Sequence, residues 1–433
     1  MSTPSPPAPR LRLAQRDQMQ IDERSLNQLL QPDDHARVIW AYVAQLDLSP
    51  LLVRIKAVHG HAGSPPIDPR ISLSLWILAT THGVGSAREL DRLTATHLSY
   101  QWLCGGVSVN YHTLSDFRSL HGEFLDGLLT QTVATLVNEG LVPLHEVAQD
   151  GVRVRAHAGA NTFRREASLQ ECLAQAQAQV ETLRGQVDDD AGAASRRQQA
   201  ARERAARERQ ERIEDALAQR QEWADRQREM IAEKGAKRKE PRASTTDPDA
   251  RTLRMGDGGT RPAFNIQYAT DTDSGIVVAV DVGNVGSDSG QMLPMVEQID
   301  ERYEQKPARM LVDGDFATLA DIEAVQTQHG IDVYAPVRNA ATEQAKGNDP
   351  YRPKRNDTRG VATWRVRMGT EEAKAIYKRR ASTAEWVNAR VRNNGLQQLL
   401  VRGLKKVRAT ALLHALTSNL MPTMLLRARR AAA

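Results

Sequence analysis

Three carboxylates stand where an uncompensated negative charge is expensive. Asp150 lies in an alternating segment and shares the parity of Leu144, Ala148, Val152 and Val154, so a strand there turns it toward the packed face. Asp313 follows the apolar run Met310–Val312, at the carboxyl end of a short strand, where α/β sheets hold ligands. Glu385 is the single acid among thirteen Lys and Arg residues between Lys374 and Arg430. Carboxylates so placed need a compensating cation. Mg²⁺ would supply it, since it takes oxygen ligands, commonly one or two carboxylates together with substrate phosphate oxygens. Two such ions about 3.5–4 Å apart serve both the attacking and the leaving oxygen of an in-line displacement. Singly, an Asp at a strand end is an ordinary turn or cap residue. Together, from two strands and one helix, the three acids point to metal-dependent phosphoryl transfer.

The elements that must position them follow from periodicity and punctuation. Residues 21–139 read as all-helical. Asp34 caps a helix with Val38, Ile39, Tyr42, Val43 and Leu46 on one face, and Asp68-Pro69 opens another with Ile71, Leu75, Leu78, Ala79 and His82. Ser86 and Glu89 form a capping-box pattern. A single longer helix is expected from Thr113 through Phe117, Leu120, Phe124, Leu128 and Val133. After Gly140 the pattern turns α/β. The strand bearing Asp150 comes first, then a hairpin about Gly275 formed by Phe264, Ile266 and Tyr268 with Ile276–Val280. A helix over Gln291–Tyr303, the strand Met310–Val312, a helix over Leu319–His329 and the strand Ile331–Ala335 follow. Tyr351–Asp357 reads as polar loop, Thr363–Arg367 as a further strand, and 371–393 as a long helix.

The region 163–242 interrupts this order. Leu169, Leu173, Ala176, Val180, Leu183 and Val187 recur at the four-three spacing of a coiled-coil seam. With a turn at Asp188–Ala193 and Arg/Gln/Glu-rich helix to Glu233, an antiparallel hairpin is the economical reading; Lys234–Asp247 reads as a basic linker. The expected organisation is a Pro-rich leader at 1–20, a helical DNA-binding domain at 21–139 and a catalytic domain at 140–162 and 243–425. The coiled-coil insertion at 163–242 and a basic tail at 426–433 complete it.

Composition narrows the classes. A chain of 433 residues exceeds the roughly 250–300 at which one core stops growing. Charged residues make up 26% and hydrophobic ones 40%, and no apolar stretch is long enough to span a bilayer, which excludes a membrane protein. The opening MSTPSPPAPR has no apolar core, so a secretory signal is not expected and the cytoplasm is the expected location. Cys104 and Cys172 stand alone, which argues against a disulfide framework or a structural zinc site. The net charge of +5 is mild, but the basic block from 374 to 430 suits a polyanion.

The order of elements, with Asp in the first strand, Asp after the fourth and Glu in the closing helix, resembles the ribonuclease H-like core of DDE transposases. The stretches AQDGVRVRAHAGANTFR, TDPDARTLRMGDGG, FNIQYATDTDSGIVVAVDV and LVDGDFAT are similar to insertion-sequence transposases of the branch with a Tyr–Arg–Glu–Lys helix signature. The most specific match is YKRRASTAEWVNARVRNNGLQQLLVRGLKKVRATALLHALTSNL. IDPRISLSLWILATTHGVGSARELDRL with VNYHTLSDFR resembles their N-terminal domain, so the resemblance covers about 45–425 apart from the insertion. The fold it implies is an α/β ribonuclease H-like core, a mixed five-stranded sheet with helices, joined to an all-α N-terminal domain and a helical-hairpin insertion.

The resemblance further implies that Asp150, Asp313 and Glu385 are the catalytic triad and hold two Mg²⁺ ions, with Mn²⁺ able to substitute. Tyr377, Arg380 and Arg392 match the signature around the glutamate and would bind DNA phosphates, Arg392 standing where the signature has lysine. Asp315-Phe316 replaces the usual Gly-Tyr, so Asp315 is a second acid near the site; Asp313 is preferred because the apolar strand leads into it. Trp386, beside Glu385, is expected to pack against the core. Asn265 and Gln267 are read as structural. The implied activity is cleavage at the inverted repeats of the protein's own element followed by strand transfer into double-stranded target DNA, with a homodimer in the complex. A ribonuclease H-like nuclease without strand transfer, and a silent DNA-binding relic, are the alternatives.

Overall fold

The computed structural model describes residues 23–55, 57, 65–185, 193–234 and 240–432. The leader at 1–20, Val187 and most of the turn at 188–193 lie outside the described residues, as does part of the linker before Asp247.

The N-terminal region is helical from α1 (Leu26–Leu29) and α2 (His35–Val43) through α3 (Ser49–Leu52), α4 (Pro69–Thr81) and α5 (Ala87–Thr96) to α6 (Leu98–Cys104). Three of these starts are written as side-chain caps: Asp34 accepts from the Ala36 amide, Asp68 from Arg70 ahead of Pro69 at the first helical position, and Ser86 from Glu89. The single helix expected from Thr113 to Val133 is two, α7 (Tyr111–Leu120) and α8 (Gly122–Asn138). His121 breaks the run, and Gly122 opens the second helix where a Cβ would meet Ala409 at 3.5 Å.

The main sheet has six strands rather than five. Strand β1 (Glu146–Arg155) is followed, after the insertion, by β4 (Arg251–Arg254), β5 (Thr260–Asp271), β6 (Val277–Gly283), β7 (Arg309–Leu311) and β8 (Asp332–Tyr334), while β2 (Phe163–Arg164) and β3 (Ala243–Ser244) form a separate two-residue ribbon. Along one edge of β5 runs β1, antiparallel from Val147↔Asp271 to Arg155↔Ala263. Its other edge is shared, with β4 pairing residues 260–263 and β6 pairing residues 265–270. The sixth strand therefore extends an existing edge position. β7 and β8 continue the sheet in parallel beyond β1.

Helices α11 (Met292–Tyr303), α12 (Leu319–Gln328) and α13 (Ala340–Ala345) accompany the later strands. Thr363–Arg367, expected as a strand, lies inside α14 (Arg359–Met368). Its alternation of apolar and basic residues is read at helical period instead, because Val361, Trp364 and Met368 are the positions that find cover. Then α15 (Glu371–Arg380), a five-residue π turn (Ala381–Glu385) and α16 (Trp386–Asn393) run on continuously. The last helix, α17 (Leu404–Ala432), includes the residues expected as a basic tail; Ala, Leu and Arg are strong helix formers and nothing there ends it.

Helix α17 is buried along Val407–Leu420 because it packs on β6 on one side and on α4, α7 and α8 on the other. The N-terminal helices and the sheet consequently share one contiguous apolar core. The insertion is a helical hairpin of α9 (Glu166–Gly185) and α10 (Ala193–Lys234). Arg220 pairs with Glu166, Arg209 bonds Gln179 and Arg184 faces Glu203, an order that makes the two helices antiparallel. Leu169, Ala176 and Val180 are buried in its seam with Ala206, Ile213 and Ala216, and the β2–β3 ribbon ties the hairpin at its root. No described helix is long and apolar enough to cross a membrane.

Candidate functional site

The parallel pairing of β1 with β7 does the main positioning. Its register runs Glu146↔Arg309, Val147↔Met310 and Ala148↔Leu311. Two residues beyond the last pair on each strand stand Asp150 and Asp313, so the ladder delivers both carboxylates side by side at the carboxyl end of β7. Strand parity points Asp150 to the face covered by the π turn and α16, into which Arg379 and Arg380 of α15 reach. The Asp313 carboxylate accepts the amides of Asp315 at 2.9 Å and Phe316 at 3.4 Å, which orders the turn it opens. Asp315 takes part through its backbone, and its carboxyl forms no recorded bond among the described residues.

What joins the two aspartates is Arg380. One guanidinium nitrogen lies 3.2 Å from Asp150 Oδ1 and 3.6 Å from Asp313 Oδ2. Arg380 is the last residue of α15, at the junction with the π turn. Burial pushes the Asp150 carboxyl upward from its ordinary range; the Arg380 charge opposes this and Asp313 adds to it. The other Asp150 oxygen accepts from Asn388 Nδ2 at 3.0 Å, and the Gly151 amide closes on Oδ1 at 2.9 Å. Tyr377 is half-buried one turn before Arg380; burial raises its phenol, on which Arg380 and both aspartates also act.

The same face of β1 carries a second buried acid, Glu146, served by Arg379 at 3.3 Å, by Arg309 at 3.5 Å and by the Thr272 hydroxyl. Consecutive arginines of α15 thus answer two acids four residues apart on one strand. The opposite face of β1 is polar too. Asp288 is buried there and accepts from Asn265 at 2.6 Å and from Gln267 at 2.7 Å, with Arg153 at 3.5 Å, so both amides are structural.

Of the six residues singled out from the sequence, Asp150, Asp313, Arg380 and Tyr377 converge. Glu385 and Arg392 do not join them: both are exposed, and neither forms a recorded side-chain hydrogen bond or ion pair among the described residues. Glu385 ends the π turn, a form frequent at functional sites. Trp386 does not pack inward; it is 45% exposed with the Arg390 guanidinium 4.9 Å over its ring. Sequence reasoning missed Glu146, Asn388 and Asp288. The first carried a signal, since it shares the parity of Asp150; the other two are brought in only by packing.

As a divalent-ion site this set fits in part. Hard oxygen donors from Asp150 and Asp313 meet at one place, but the charge between them is a guanidinium. Among the described residues no three His, Cys, Asp or Glu side chains are grouped to hold a metal ion.

The chain is similar to two protein-family models. One, described as a transposase DDE domain, matches residues 240–420, and the other, described as a transposase domain, matches residues 24–120. The first begins at the end of the insertion and so leaves out the strand that bears Asp150. Neither a curated protein nor a solved structure matches the chain.

Proposed function

Because the chain belongs to the insertion-sequence transposases with a DDE domain, we propose that it binds the inverted repeats of its own element, cuts a DNA strand there and joins the freed 3′ end to target DNA. The observation that carries this reading is the β1–β7 register, which sets Asp150 beside Asp313 under a helix rich in cations. In this proposal Asp150 and Asp313 hold Mg²⁺, with Glu385 as the third carboxylate. Bound there, the ions would polarise the scissile phosphate and stabilise the charge that develops on it.

The chain's own groups supply the rest. Arg380 balances the aspartates and, once released from them, is free to pair with a phosphate; Tyr377 orients it. Arg392, exposed and unpaired among the described residues, would take a backbone phosphate with its planar fork. These are positioning and charge terms, which dominate phosphoryl transfer. The test is strand cleavage on end-containing DNA by Asp150→Asn, Asp313→Asn and Glu385→Gln variants. Each is expected to abolish cleavage while retaining end binding in a gel-shift assay. Wild-type cleavage by Asp150→Asn would end the assignment. Joining of a pre-cut 3′-hydroxyl end to a second duplex separates a transposase from a nuclease of the same fold.

A further inference from the structure

We propose that a small cavity between the N-terminal helices and the loop before α17 is a binding site for chloride, with Arg118 of α7 as its cation and His414 of α17 as a second donor. It uses none of the residues named at the aspartate pair.

Arg118 is only 6% exposed, yet no carboxylate pairs with it among the described residues. Its guanidinium lies 4.3 Å over the Trp76 ring, and one terminal nitrogen donates to the Gly85 carbonyl at 2.5 Å. Its Nε is buried without a partner, and the other terminal nitrogen forms no recorded bond among the described residues. Burial lowers the group to about 10, with no acid near enough to oppose it. A buried charge without a counter-ion is costly. His414 is 7% exposed and its Nδ1 is likewise buried and unpartnered. Burial and the Arg118 charge push its ring down to about 3, so it is neutral and keeps one N–H to give.

Both side chains line a cavity of about 30 Å³, together with Trp76 and Thr80 of α4, and no acidic residue is part of its wall. That volume holds one or two water-sized occupants, which suits a monatomic anion and not a DNA phosphate. Buried donors with no protein acceptor are satisfied by a bound ion or water, and beside an uncompensated guanidinium the anion is favoured. The wall is held by close backbone packing. Gly395, at φ +88°, lies on Gly83, and a Cβ there would stand 2.7 Å from the Gly83 carbonyl oxygen. Gln398 and Leu400 line the cavity and are exposed, which gives the ion a way in. The bound anion would tie α4, α7 and α17 to the loop at 394–403, which also bonds Arg155 at the end of β1 through Gln397 and Leu399.

The experiment is urea unfolding of the full chain without DNA, in sodium chloride against sodium gluconate at one ionic strength, gluconate being too large for the cavity. The wild-type midpoint should rise with the logarithm of chloride concentration once the site fills. Arg118→Met and His414→Phe should each lose most of that rise. Arg118→Lys, which keeps the charge, should retain more of it than Arg118→Met does. Equal wild-type midpoints in the two salts overturn the proposal. So does a rise of wild-type size in Arg118→Met, or in His414→Phe should Arg118→Met not fold. An Arg118-dependent rise that phosphate gives and chloride does not overturns it in favour of an oxyanion.

Discussion

Gly151 lies beside Asp150 in β1, and the absence of a side chain there lets a buried polar network lie against the strand. A Cβ at this position would stand 2.6 Å from Asp288 Oδ1, 2.6 Å from Gln267 Nε2 and 2.9 Å from Asn265 Oδ1. All three are well inside the roughly 3.5 Å of ordinary contact. None of the neighbours can retreat cheaply, since Asp288, Asn265 and Gln267 are buried and bonded to one another. Gly151→Ala must therefore push Asp288 off two amide donors. Hydrogen bonds to a charged group contribute about 1.5–3 kcal/mol each, and overpacking alone costs about 1–3 kcal/mol. Because these overlap, the expected loss is about 3–5 kcal/mol in urea unfolding. In an Asp288→Ala background the bonds and one of the three collisions are gone and the two amides are free to shift, so the same substitution should cost less, about 1–2 kcal/mol. A loss below about 1 kcal/mol in the native background, or an equal loss in both, would refute the reasoning. Strand cleavage should fall in parallel, since the Gly151 amide is bonded to Asp150.

Two further outcomes follow from one buried group on α17 and one bonded to the turn before it. Asn419 bonds both the amide and the carbonyl of Val277 in β6, at 2.7 and 2.8 Å, beside the bulge between Ala269 and Thr270. Asn419→Ala leaves two buried backbone groups unpaired and should cost about 2–4 kcal/mol by chemical denaturation, at unchanged m-value. Asp247 accepts from the Gly403 amide just before α17, and burial pushes its carboxyl up to about 6 from an ordinary 3.8. Its folded value lies above its unfolded one, so its favourable contribution is full below about pH 4 and is lost as the pH rises through about 6, by roughly 3 kcal/mol in all. Asp247→Asn keeps the acceptor oxygen; it should melt with the wild type at pH 4 and above it at pH 7.

Much of the frame was legible because it is encoded locally. The caps at Asp34, Asp68 and Ser86, the hairpin about Gly275, the heptad seam and the parity of Asp150 are properties of neighbouring residues, and the elements formed where that chemistry lies. The misreadings arose where the local signal is weak or absent. His121 carries no strong breaking signal, so α7 and α8 looked like one helix. Arg251–Arg254 is too short to show a period, and its pairing with residues 260–263 depends on β5 being there.

The sequence by itself determined most of the strands and helices and the parity that sets Asp150 on a packed face, since periodicity of 2 or 3.6 residues acts within a single element. Only the tertiary structure decided what meets those carboxylates. The register of β1 on β7 brought Asp313 to Asp150, and a five-residue π turn, invisible to residue spacing, set Arg380 and Asn388 on them while leaving Glu385 in solvent. That choice is a through-space balance of charge and burial, settled by packing between elements far apart in the chain.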